Sequence, residues 1–163
     1  MFRRTLACLA SATVLALTAG APAAHAETVE YTVTIRTADV YLGGTDSTVK
    51  GKLFNKQNGK WTYFDNSGND FERNDTGTYT ITVPSTFGTP THFQLWKAGT
   101  DDWAVATPVI IKGPDNYSKA AYMEGNYTWF TGEDKHNRCQ VDQANHVMRC
   151  NHYSPEMKLL NYE

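Results

Sequence analysis

The sequence predicts an all-β fold, an antiparallel sandwich or barrel, from three observations. Apolar residues recur at every second position in several short runs, the period of a strand with one buried face. The runs are separated by turns of Gly, Asn and Asp, residues that tolerate the backbone angles turns require. No segment carries the period of an amphipathic helix. Many short strands at short spacing, with such turns between them, are the pattern of antiparallel β-folds.

The clearest strand comes first. Val29, Tyr31, Val33 and Ile35 alternate with Glu30, Thr32, Thr34 and Arg36. Val49, Gly51 and Leu53 then alternate with Lys50 and Lys52, and Asn55 to Gly59 reads as a turn. Lys60 to Phe64 is a short aromatic strand, closed by the turn Asp65-Asn66-Ser67-Gly68. Tyr79, Ile81 and Val83 alternate with Thr78, Thr80 and Thr82, and Pro84 to Pro90 breaks the pattern. Phe93 and Leu95 alternate with His92 and Gln94. Trp103 to Lys112 is apolar and β-branched, with Pro108 marking an edge or a bulge.

The first 26 residues read as a leader. Met1-Phe2-Arg3-Arg4 is a basic start, Thr5 to Leu17 is apolar, and Ala24-His25-Ala26 fits the small-x-small cleavage rule. Arg3-Arg4 also permits a twin-arginine reading, and Cys8 loosely imitates a lipoprotein box but precedes most of the apolar run. Export, with a mature chain from Glu27, is the expectation. The leader carries two arginines and no acid, so its removal takes the formal charge from −2 to −4. An acidic chain lacks the electrostatic footprint of a nucleic-acid binder. No later run is long and apolar enough for a membrane span, which needs about 20 residues.

Two polar, acidic turns stand out, Leu42 to Asp46 and Asn69 to Asp75. Hard cations such as Ca²⁺ take oxygens from carboxylates, amides and backbone carbonyls, and two such turns at one end of a sheet can supply them together. The same residues are also those that turns select for backbone reasons alone.

An ordered set of segments carries a resemblance. Tyr31-Thr32-Val33-Thr34-Ile35-Arg36-Thr37, Gly43-Gly44-Thr45-Asp46, Asn69-Asp70-Phe71-Glu72-Arg73, Phe93-Gln94-Leu95-Trp96 and Asp101-Asp102-Trp103 occur in one order. From about Thr28 to Lys112 the chain resembles a PLAT (LH2) domain, the module of lipoxygenases, pancreatic-type lipases, clostridial alpha-toxin and polycystins. The resemblance implies an eight-stranded sandwich of two four-stranded sheets over residues 27–113. It also implies binding to lipid surfaces or partner proteins, often with Ca²⁺ at the loop end. Carried over residue by residue, the implied Ca²⁺ ligands are Gly44 (by its carbonyl), Asp46, Asn69, Asp70, Glu72 and Asp101, with Asp39 a weaker candidate near the first loop. Asn74 stands where many members have Gly after Phe-Glu-Arg, and Asn is the non-Gly residue best suited to a left-handed turn. Phe71 reads as a core plug under its loop, Arg73 as a partner for a nearby carboxylate, and Trp96 and Trp103 as core or inter-sheet residues.

Val40-Tyr41-Leu42, just before the Gly-Gly turn, is the expected membrane- or partner-contact tip. Tyr suits an interface, and burying Tyr41 and Leu42 offers about 3–5 kcal/mol before ordering costs. Leu42 can equally fold back onto the sandwich edge.

Residues 114–163 lie outside the resemblance and form an aromatic extension with Tyr117, Tyr122, Tyr127, Trp129, Phe130 and Tyr153. A hairpin turning at Ala144-Asn145 places Val141 opposite Met148 and Cys139 opposite Cys150. In an exported chain this reads as a disulfide across the hairpin. The rival is zinc held by His136, Cys139, Cys150 and His152.

Nucleophile-elbow, zincin, phosphate-loop and dinucleotide motifs are absent from the sequence. Glu124, Glu133 and Asp134 could form a paired-carboxylate site for glycoside hydrolysis in a small hydrolase, although scattered surface acids are far commoner. The leading expectation is a secreted, non-catalytic binding module making Ca²⁺-assisted contact with lipid or amphipathic surfaces. The alternative is an extracellular protein–protein interaction module without lipid binding.

Overall fold

The computed structural model describes residues 27–55, 58–123, 125–132, 139–142, 147–151 and 157–161. The leader, Glu124, Glu133, Asp134, His136 and His152 lie outside the described residues, so the leader, paired-carboxylate and zinc readings do too.

The described residues form twelve strands and a short 3-10 turn at Ser85–Phe87. The strands are β1 (Thr28–Arg36), β2 (Val49–Asn55), β3 (Asn58–Phe64), β4 (Thr76–Pro84), β5 (His92–Lys97), β6 (Trp103–Ala106), β7 (Val109–Lys112), β8 (Ser118–Ala121), β9 (Tyr127–Thr131), β10 (Cys139–Asp142), β11 (Val147–Asn151) and β12 (Met157–Asn161). The all-β class is as the alternation predicts. In β1 and β4 the buried positions are the alternating apolar ones, Tyr31, Val33 and Ile35 against Tyr79, Ile81 and Val83. The two strands pair antiparallel along their whole length, from Thr28 opposite Pro84 to Arg36 opposite Thr76.

One antiparallel sheet holds eight strands in the order β3-β2-β5-β12-β8-β7-β1-β4, and a second holds four in the order β10-β11-β9-β6. The large sheet curls until its edges meet. Phe64 on β3 stacks on Tyr79 on β4, with ring centroids 4.8 Å apart. Gly51 makes room for that ring, because a Cβ there would overlap Phe64 and touch Phe93. The core therefore lies inside the curl, around Val33, Ile81, Phe93, Leu95, Trp103, Ile111 and Phe130.

Two arrangements depart from the expected pair of four-stranded sheets. β12 enters between β5 and β8 and joins them into one sheet, with Met157 opposite Phe93 and Leu159 opposite Ala121. β8 and β12 thus complete the large sheet and β9 pairs with β6, although all three lie after residue 113. Second, Trp103 to Lys112 is two strands in different sheets. Pro108 stands where the chain changes sheets, since it cannot donate to a ladder. The ladder of β2 with β3 continues to Asn55 opposite Asn58, which makes the expected turn from Asn55 to Gly59 shorter. β10 and β11 pair in the register read from the sequence, Cys139 opposite Cys150 and Val141 opposite Met148, and β11 runs parallel to β9.

Candidate functional site: an acidic loop end with an apolar tip

Three loops meet at one end of the sheets. The first follows β1 and contains Asp39 to Thr48, the second lies between β3 and β4, and the third joins β5 to β6. Main-chain bonds tie the first two: the N–H of Thr45 donates to the carbonyl of Phe71 at 3.1 Å. Gly44 permits this approach, because a Cβ there would stand 3.1 Å from the Arg73 nitrogen and 3.2 Å from the Phe71 carbonyl oxygen. The third loop joins through Asp101, whose Oδ2 accepts from the N–H of Asp46 at 3.1 Å and from the Thr45 hydroxyl at 3.4 Å.

The second loop turns on two left-handed residues, Phe71 at φ 66° and Asn74 at φ 62°. Asn74 fills the role of the absent glycine, as its side chain predicts. Phe71 drops its ring into the core, 5.2 Å from Tyr79 and 4.9 Å from Trp103 by centroids. Arg73 pairs with Asp39 at 2.7 Å. The carboxylates hold the turns together. Asp70 accepts from the Asn66 N–H at 2.6 Å, from the Asn66 amide at 3.2 Å and from the Tyr79 hydroxyl at 3.3 Å, and Glu72 accepts from the Asn69 amide at 2.7 Å. Burial, and then the Asp70 charge, push the Tyr79 phenol up from its usual pKa of 10.0.

The expected ligands divide between two clefts. Gly44, Asp46, Glu72 and Asp101 line one of about 610 Å³, together with Tyr41, Leu42, Asp102 and Trp129. Asp46, Asn69 and Asp70 line the other, of about 520 Å³, with Asp65 and Tyr63. Asp46 is thus shared, while Asp39 lines neither. Among the described residues no three His, Cys, Asp or Glu side chains group closely enough to hold a metal alone. The groups able to ligate a cation there are nevertheless oxygens, the Gly44 carbonyl and Asn69 amide adding to the carboxylates, and Arg73, which also lines the first cleft, is paired with Asp39. That chemistry fits Ca²⁺ shared between side chains and main chain rather than a cage of three carboxylates.

The tip divides as well. Val40 packs inward with Tyr127 and Trp129 on the small cluster of Ala38, Ala104 and Ala106. Tyr41 and Leu42 stand out, 80% and 70% exposed. Of the two readings of Leu42, the exposed one is found.

Two features of this end are not legible in the sequence. Trp129, from β9, lines the first cleft. Lys97, fully buried, donates its ammonium to the carbonyls of Ala98 at 3.0 Å, Gly99 at 3.4 Å and Asp101, and so braces the third loop from beneath. Burial pulls its pKa below the usual lysine value, against the opposing charges of Asp101 and Asp102. Trp103 is core as expected, and its indole N–H donates to the Thr37 hydroxyl at 3.1 Å. Trp96 is not fully buried in the core: it lies half-buried beside Lys50.

The PLAT/LH2 domain family matches residues 31–141, well over half of the chain. The chain belongs to the PLAT/LH2 family. The match extends past residue 113, consistent with the sheet places of β8 and β9. The alpha-toxin from Clostridium absonum is similar at 27% identity and TM-score 0.55, over 64% of this chain and 29% of that one. An alpha-toxin of Clostridium perfringens from an avian strain shares 21% identity at TM-score 0.56, over 69% and 32%. Coral 8R-lipoxygenase, whose structure is described in terms of calcium activation through a C2-like domain, shares 23% at TM-score 0.53, over 62% and 15%. The chain spans less than a third of the length of each of these proteins. No curated protein matches its sequence. Among the described residues no helix is long and apolar enough to cross a membrane.

Proposed function

We propose that this PLAT/LH2 protein is an exported, non-catalytic binding module that docks its loop end on lipid or other amphipathic surfaces, assisted by Ca²⁺. The observation that carries the reading is a juxtaposition. Tyr41 and Leu42, the exposed apolar tip, rim the same cleft as Asp46, Glu72 and Asp101. A cation held in the first cleft by the Gly44 carbonyl and two of its carboxylates, or in the second by Asp46, Asn69 and Asp70, would reduce the negative charge beside the tip. Removing that charge favours approach to an anionic surface, which otherwise repels an acidic loop end. The calcium-activated C2-like domain of the coral lipoxygenase is a precedent among structural neighbours. Export, with a Cys139–Cys150 disulfide closing the β10–β11 hairpin, completes the proposal, and the strand register that sets these residues opposite supports the pairing.

Two exposed side chains supply weak, reversible contact of about 3–5 kcal/mol before ordering costs. Vesicle co-sedimentation with and without Ca²⁺ tests the reading. Wild type is expected in the vesicle pellet with Ca²⁺ and less so with EDTA, and Tyr41→Ser with Leu42→Ser is expected to remain in the supernatant. Sedimentation unaffected by both EDTA and the tip substitutions would refute docking through this end.

A further inference from the structure

β2, β3 and β5 contain no Asp or Glu, in a chain whose acids outnumber its Lys and Arg by 17 to 15. Lys50 and Lys52 of β2, Trp61 and Tyr63 of β3 and Trp96 of β5 alternate with the buried Val49, Leu53, Phe64, Phe93 and Leu95, and so face outward. Register sets them in rows, with Lys50 between Tyr63 and Trp96 and Lys52 opposite Trp61. The Lys50 ammonium stands 4.0 Å from the Trp96 ring centroid, 5.3 Å from Trp61 and 5.8 Å from Tyr63. That of Lys52 stands 4.2 Å from Phe54 and 5.7 Å from Trp61. Aromatic faces orient an ammonium without neutralising it. Among the described residues neither lysine has an ion-pair partner, the one salt bridge joining Arg73 and Asp39.

We infer that this face is a second, metal-independent contact, one that binds the headgroups of anionic lipids. The inference rests on the lipid-surface reading above and adds selectivity for charge. Three observations favour a lipid surface. Trp and Tyr beside Lys are the residues that settle at a membrane–water interface, the rings at headgroup depth and the ammonium on the phosphates. The face adjoins the loop end, because Tyr63, 66% exposed, also lines the cleft of Asp46 and Asp70. Its three strands also carry no acid, so they can approach a negative surface that repels the acidic loop end. An acidic polysaccharide would satisfy the lysines but makes no use of the exposed apolar Tyr41 and Leu42 at the loop end.

The test is co-sedimentation with phosphatidylcholine vesicles, pure or mixed with phosphatidylglycerol, in EDTA and in Ca²⁺. The variants are Lys50→Gln/Lys52→Gln and Tyr41→Ser/Leu42→Ser, with thermal melts confirming that both fold. In EDTA the wild type is expected to prefer vesicles containing phosphatidylglycerol. The double Gln variant is expected to bind these about thirtyfold more weakly, and the difference should shrink at high salt. If wild type binds vesicles in Ca²⁺ and the tip variant does not, yet the Gln variant matches wild type on phosphatidylglycerol, this inference is overturned and the loop-end reading stands. A wild type that binds no vesicle in either condition overturns both. Retention on immobilised polygalacturonate that is lost in the Gln variant, without vesicle binding, assigns the face to acidic polysaccharide and overturns the lipid assignment.

Discussion

The main-chain N–H of Asp46 donates to the carboxylate of Asp101 across 3.1 Å, joining two loops 55 residues apart in sequence. The bond fixes the main chain at Asp46, which lines both clefts, and Asp101 lines the first of them. Asp101→Asn preserves a carbonyl oxygen for that bond and removes the charge. It is expected to leave the melting temperature of the metal-free protein within a degree or two and to weaken its Ca²⁺ response. Asp101→Ala removes the bond as well, with a further loss of about 1 kcal/mol or less at this exposed site. Parallel melts in EDTA and Ca²⁺ separate the two effects.

Lys97 holds the same loop from inside. Lys97→Met keeps the length of the side chain but strips the carbonyls of Ala98, Gly99 and Asp101 of their shared donor. A loss of about 1–3 kcal/mol is expected, because the third loop loses charge-assisted bonds to three partly buried or exposed carbonyls. Chemical denaturation measures it. A neutral outcome would mean that water replaces the ammonium.

Asn74 is a local test of the second loop. Its φ of 62° is left-handed, a region that costs a β-branched residue about 1–2 kcal/mol. Asn74→Val is expected to destabilise by that amount and Asn74→Gly to be neutral. If both were neutral by thermal melt, the turn would not require this conformation.

These residues also mark what could be read from the chain. β1 and β4 were legible because each buries one face, so that Val33 and Ile81 alternate with exposed threonines. The β10–β11 register was legible because two cysteines bracket one turn. β8, with the sequence Ser-Lys-Ala-Ala, carries no strand signal of its own and exists because β7 and β12 flank it. The single apolar run over β6 and β7 hid a change of sheet, since all four residues of β6 are buried and leave no alternation. At the site, the meeting of the loops of Gly44, Phe71 and Asp101 was legible only through the family resemblance. The roles of Lys97 and Lys50 were not legible, because a lysine's partners here come from other strands or from loop carbonyls.

Alkaline pH probes the core. Burial raises the Tyr31, Tyr79 and Tyr117 phenols above their usual pKa of 10.0, with Asp115, Asp70 and Tyr31 respectively adding charge repulsion. A phenol raised by folding stays protonated while the unfolded chain ionises. Its stabilising contribution is therefore complete below pH 10.0 and is lost as pH rises through the folded-state values. Lys97 has the opposite sign, because its lowered pKa makes the folded state shed a proton first. With three phenols against one ammonium, stability is expected to fall above pH 10.0. Tyr79→Phe should flatten that fall relative to wild type in denaturant titrations across this range.

The most direct test of Ca²⁺ at the loop end is a thermal melt of the chain from Glu27 in EDTA and in excess Ca²⁺, beside Asp46→Ala/Asp70→Ala. Ligand at 100 times its dissociation constant adds about 2.7 kcal/mol, several degrees for a chain of this length. The account predicts that Ca²⁺ raises the wild-type melting temperature by that order and leaves the double variant unmoved. A wild-type melt indifferent to Ca²⁺, or an equal rise in the variant, would contradict it.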